Sequence, residues 1–162
     1  MPTLPKNKKS AQLRLAGLEE RSFSCQAAEV DFAQGTIDME VQADMGCQQD
    51  DETVTTLLTA RFFYQPHHAA EPPLPRQEIA HLTAQMIFHV PGVAQVLEPT
   101  GQPNELRLPT RVAATLIGTA YSTLRGMVFV RFAHTPLRQA PLGLIDPTAV
   151  AAGISPFRLP AS

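Results

Sequence analysis

The side chains able to carry chemistry are few, and their spacing does not gather them. His67 and His68 are adjacent in a proline-rich stretch, which aims two imidazoles at the surface rather than at one ion. His81 and His89 share a strand face but sit eight positions apart, roughly 26 Å from end to end of an extended chain, too far to chelate together. Asp38, Glu40 and Asp44 alternate along one segment. Paired carboxylates act as acid and base only where a cleft raises the pKa of one of them, and an open sheet face offers no cleft. Cys25 and Cys47, 22 positions apart, make neither a disulfide framework nor a metal cluster. There is no G-x-S-x-G elbow, no phosphate-cradling glycine loop, no H-E-x-x-H and no C-x-x-C. A protein without catalytic residues, metal or cofactor is expected. An uncharacterised hydrolase is the enzymatic alternative.

The elements that would position any site are marked by proline. The 15 prolines fall near the N-terminus, in Pro66 to Pro75, in Pro91 to Pro109 and from Pro136 to Pro160, leaving 6–65, 76–90 and 110–135 proline-free. Proline lacks a ladder donor and breaks helix interiors, so regular structure belongs in those intervals. Ile37 to Met45 alternates completely, with Ile37, Met39, Val41, Ala43 and Met45 against Asp38, Glu40, Gln42 and Asp44. That pattern predicts a half-buried strand with an acidic outer face. Val54 to Tyr64 and Ile79 to Val90 read as two further strands, with inner faces on the even positions. Leu13 to Cys25 is a weaker fourth, bent or bulged at Gly17. Four strands joined by short or proline-bearing loops imply an antiparallel sheet.

The interval after Pro109 differs. Proline suits a first helical position, and about 24 residues follow without a strong break. A polar or small stripe (Arg111, Thr115, Gly118, Ser122, Arg125) is flanked by apolar rows, Val112, Leu116, Ala120, Leu124 and Met127 on one side and Ile117, Tyr121, Leu124 and Val128 on the other. So wide an apolar arc needs a cover besides one sheet face. The expected cover is a second copy of the chain, with Val112, Leu116, Ala120, Leu124 and Met127 at a homo-oligomer interface, dimer or tetramer.

At 162 residues and a net charge of −2, the chain suits one domain with its own core and no basic patch for nucleic acid. No apolar run follows Lys6, Lys8 and Lys9, and no stretch is long enough to span a membrane, so a cytoplasmic protein is expected. Glu29 to Glu52 holds eight acids and no lysine or arginine, a solvated face or an interaction surface. The expected layout is a flexible tail at 1–10, a single domain at 11–150 and a C-terminal tail at 151–162.

The order of elements resembles SecB and its SecB-like relatives, the cytoplasmic export chaperones. The resemblance rests on Leu13–Leu18 and Ser22-Phe23-Ser24, the acidic alternating strand, a third strand ending in aromatics, Ile87-Phe88-His89-Val90, the proline-bearing crossover, Arg125-Gly126 late in the helix, and Ala140 through Pro147. It implies an α+β fold: a four-stranded antiparallel sheet with one long helix, and a short C-terminal one at Thr148 to Gly153, on one face. It also implies an apolar groove that holds non-native polypeptide, lined by Phe63, Val93, Val96, Leu97, Tyr121 and Leu124. Asp38, Glu40 and Asp44 would face a partner, either the translocation ATPase SecA or a dedicated protein. The expected function is a holdase-type chaperone for unfolded or partly folded polypeptide. The alternatives are an adaptor dedicated to one protein and a domain enclosing a small apolar ligand.

Overall fold

A computed structural model describes residues 13–27, 30–67, 75–140 and 142–158. The N-terminal tail expected at 1–10, His68 and Pro141 lie outside those residues. Four long strands, β1 (Arg14–Cys25), β2 (Gly35–Gln48), β3 (Thr53–Pro66) and β4 (Gln77–His89), form an antiparallel sheet in the order β1-β4-β3-β2. The expected fold is therefore the one found.

Alternation decides which face is buried. On the central strands the even positions Val54, Leu58, Ala60, Phe62, Leu82, Ala84, Met86 and Phe88 are fully buried, while their odd neighbours are half-exposed. On β2 the apolar set Ile37, Met39, Val41, Ala43 and Met45 packs on the same core, and Asp38, Glu40 and Asp44 face outward. β1 carries two bulges, between Leu15 and Gly17 and between Glu20 and Ser22, the first where the glycine predicts it. These keep Leu15, Leu18, Glu20 and Phe23 opposite Phe88, Met86, Ala84 and Leu82, on the helix side of the sheet.

One position in this core breaks the pattern. Thr56 is fully buried, and its hydroxyl has no hydrogen-bond partner. An unsatisfied buried hydroxyl costs about 1–3 kcal/mol, whereas an isosteric apolar group avoids that penalty. Thr56→Val is therefore expected to raise the melting midpoint in a thermal scan followed by circular dichroism. A lowered midpoint would show that the hydroxyl is satisfied in solution.

The crossover after β4 contains a single-turn helix, α1 (Val93–Val96), and two very short strands, β5 (Glu98–Pro99) and β6 (Glu105–Arg107). The long helix α2 (Thr110–Phe132) follows, with Pro109 at its cap, one residue before the expected first turn. Thr115, Ser122 and also Thr119 and Thr123 donate their hydroxyls to carbonyls four residues back. The exposed stripe of the helix is thus satisfied by its own backbone.

The expected second cover for α2 is corrected here. Leu116, Ala120 and Leu124 are fully buried within one chain, against its own sheet. The other flank is covered by the chain's own return segment: Pro147 packs over Gly118, and the Tyr121 hydroxyl donates to the Gly143 carbonyl. That segment continues into α3 (Pro147–Ala152), capped by the Asp146 carboxylate, which accepts from the Thr148 amide at 2.9 Å. The row read as an oligomer interface is therefore core at Leu116, Ala120 and Leu124, and only Val112 and Met127 remain partly accessible. The tail expected at 151–162 is corrected over 151–158, the part that is described. Ala151 is buried, and β7 (Phe157–Arg158) pairs with β6 to complete a small sheet, β5-β6-β7.

Candidate binding groove

One concave patch of apolar surface lies where the chain leaves β4 and enters α2. Val90 ends the buried face of β4, and Pro91 stops the ladder. Gly92 then turns with φ of +73°, a conformation glycine adopts without strain. The Glu52 carboxylate accepts from the Gly92 amide at 2.7 Å, pinning the turn to the β2–β3 loop. Val93 consequently drops into the core while Val96, one helical turn on, stays 41% exposed. Val96 then faces a cavity of about 280 Å³ bounded by Leu13, Pro91, Arg111, Val112 and Thr115.

The six residues expected to line a client groove do not converge on it. Val96 alone lies in the groove. Val93 and Leu124 are fully buried, and Leu97 is half-buried against the core. Tyr121 is buried beneath the return segment, where burial pushes its phenol above the ordinary value and the charge of Arg125 partly opposes that. Phe63 sits on the opposite face of the sheet, with the Arg76 guanidinium 3.8 Å above its ring. A strand alternation that puts Phe62 inside must put Phe63 outside. Leu13, Arg111 and Thr115 were missed as groove residues because each was read only as part of its own element.

The acidic residues are where alternation predicts them, on the outer face of β2. They are not equivalent. Glu40 is ion-paired with Arg76, whereas Asp38 and Asp44 have no ion pair among the described residues. The same outer face holds a Ser–His–acid trio, Ser24, His81 and Glu78. Both partners approach one ring nitrogen, Nδ1, at 3.1 and 2.9 Å. A catalytic triad needs the acid on one ring nitrogen and the nucleophile on the other, so this trio lacks the relay geometry. Among the described residues no three of His, Cys, Asp and Glu are placed to hold a metal ion, and no helix is long and apolar enough to cross a membrane. Burial raises the Cys47 thiol above its usual range, away from the thiolate character a reactive cysteine needs.

Sheet order, crossover and the single long helix define a SecB-like α+β fold. A solved structure with that fold is the Mycobacterium tuberculosis Rv1957 SecB-like chaperone in complex with a ChAD peptide from the Rv1956 HigA1 antitoxin. It is 16% identical, with a TM-score of 0.51, over 82% of this chain and 88% of that one. No family model and no curated protein matches the chain.

Proposed function

We propose that this chain is a cytoplasmic, non-enzymatic SecB-like chaperone that holds a short segment of non-native polypeptide in the groove at Val96. The observation that carries the reading is the aliphatic wall of exposed Val96 and half-buried Leu13, set between the crossover and the first turns of α2. An unfolded segment offers apolar side chains for burial, and a concave apolar surface can take them. About 280 Å³ has room for the side chains of one short segment, on the order of one or two. With α3 only six residues long, no long second helix extends the groove. That favours a groove that takes one short segment at a time over one that wraps a long chain, and the peptide held by the similar chaperone supports the same reading.

The chain is further proposed to assemble with itself through β1. That strand is an edge of the sheet, and an unpaired edge is a template for another strand. Its helix-side residues Leu15, Leu18 and Phe23 are 40%, 48% and 37% exposed. Asp38 and Asp44 are left as the polar surface for a translocation ATPase or another protein partner.

Val96→Asp tests the groove. The position is exposed, so the melting midpoint is expected to stay within a few degrees of the unaltered chain. Capture of a chemically unfolded model protein, read by sedimentation, is expected to fall at least fivefold. Unchanged capture would remove the groove from the account.

A further inference from the structure

The last described segment of the chain, Ile154–Arg158, crosses a trough without filling it. Cavities of about 280 and about 320 Å³ open on its two sides, and Ile154, Ser155, Pro156 and Phe157 line both. Met45 of β2 also lines both. The trough lies across α2 from the groove at Val96: Thr110 and Ala113 border the first, Arg111, Val112 and Thr115 the second.

The attachments of the segment are slight. Among the described residues, Phe157 pairs with Leu106 and Arg158 with Glu105, two pairs in all. Phe157 is half-buried against the core. Arg158 Nε lies 3.3 Å from Glu105 Oε1, but the Arg158 side chain is 84% exposed, and ion pairs in water hold weakly. The slot itself is better organised than its occupant. β6 is already paired with β5 on its other side, and the Thr100 hydroxyl donates to Glu105 Oε2 at 3.3 Å, orienting the carboxylate. An edge of this kind accepts any extended segment whose alternate side chains suit the two faces.

We propose that Ile154–Arg158 is a built-in occupant of a peptide slot on β6, displaced by an extended segment of a partner protein that carries an aromatic residue directly followed by a basic one. The aromatic enters the trough as Phe157 does, and the cation meets Glu105 as Arg158 does. Because a tethered segment competes at high effective concentration, the slot is masked until the tether is weakened or outcompeted. This inference is independent of the groove at Val96.

The probe is a fluorescein-labelled peptide copying 153–158, followed by fluorescence anisotropy against full-length chains. A chain carrying Phe157→Ser and Arg158→Glu is expected to bind it at least tenfold more tightly than the unaltered chain. In a chain carrying Phe157→Ser and Arg158→Ser instead, whose own segment has no carboxylate to meet a new arginine, adding Glu105→Arg should abolish the gain, and a peptide with Glu in place of its Arg should restore it. Equal binding by the unaltered and released chains, or binding indifferent to Glu105→Arg, would overturn the proposal. Should the double variant fail to fold, Arg158→Glu alone alters only an exposed side chain and is expected to give at least a threefold gain. No gain there would likewise overturn it. Capture of unfolded protein measured on the same chains reports the Val96 groove separately.

Discussion

Leu124→Asp is expected to leave the chain unfolded, not to separate a folded assembly into folded monomers. Leu124 is fully buried within a single chain, on the sheet side of α2. A carboxylate there would be buried in the apolar core, and burying an unpaired charge is among the few changes that cost more than about 4 kcal/mol. Total stabilities are about 5–15 kcal/mol, so the variant should lack the cooperative melt and well-dispersed amide spectrum of the parent. Leu18→Asp is the matching test of self-assembly. It places a charge on an edge-strand position that is 48% exposed in the single chain, so it should lower the mass in solution while keeping the melt. A folded Leu124→Asp monomer would return the helix row to the role of an interface.

Phe132→Ala is expected to be among the most costly changes that remove no charge and add none. Phe132 ends α2 and is almost fully buried. Its ring centroid lies 5.0 Å from that of Phe62 on β3 and 5.9 Å from that of Phe23 on β1. Deleting a buried phenyl ring costs about 3–5 kcal/mol, and here it also releases the contact that brings the helix end onto the edge strand. Over Phe23 the bidentate pair of Arg131 with Glu20, at 2.7 and 2.6 Å, would remain. As a solvent-exposed pair it offsets little of the loss. The denaturant midpoint should fall steeply, and a shift equivalent to less than about 1 kcal/mol would mean that the three rings are not a structural unit.

The parts of the fold that were legible in the sequence are those where a period is long enough to count. Ile37 to Met45 alternate without a fault, a pattern that β2 carries on in both directions to fourteen residues, and the proline-free run after Pro109 left only a helix. The crossover was not legible, because strands of two and three residues carry no period, and β5, β6 and β7 are defined by pairing alone. The covering of α2 was misread for a related reason. Ala140, Leu142 and Ile145, which pack on the core, lie in a segment with no regular structure of its own, so nothing in their spacing says that they fold back over Tyr121. The site was half-legible. Val96 was found because an apolar residue in a proline-bounded loop has to be explained. Leu13 and Arg111 join it from the start of β1 and the first turn of α2, a meeting made by tertiary folding. Phe63 was counted among the groove residues, although the parity that buries Phe62 already places it on the other side of the sheet.

The central claim, that the Val96 groove receives polypeptide, is tested most directly by site-specific photo-crosslinking. A benzophenone side chain placed at position 96, or at Gln42 on the outer face of β2, would be irradiated with a chemically unfolded model protein diluted into the chain. The account predicts abundant adducts from position 96 and few from position 42, with the adducts from 96 competed by unlabelled unfolded protein. Equal labelling from the two positions, or none from position 96, would contradict it.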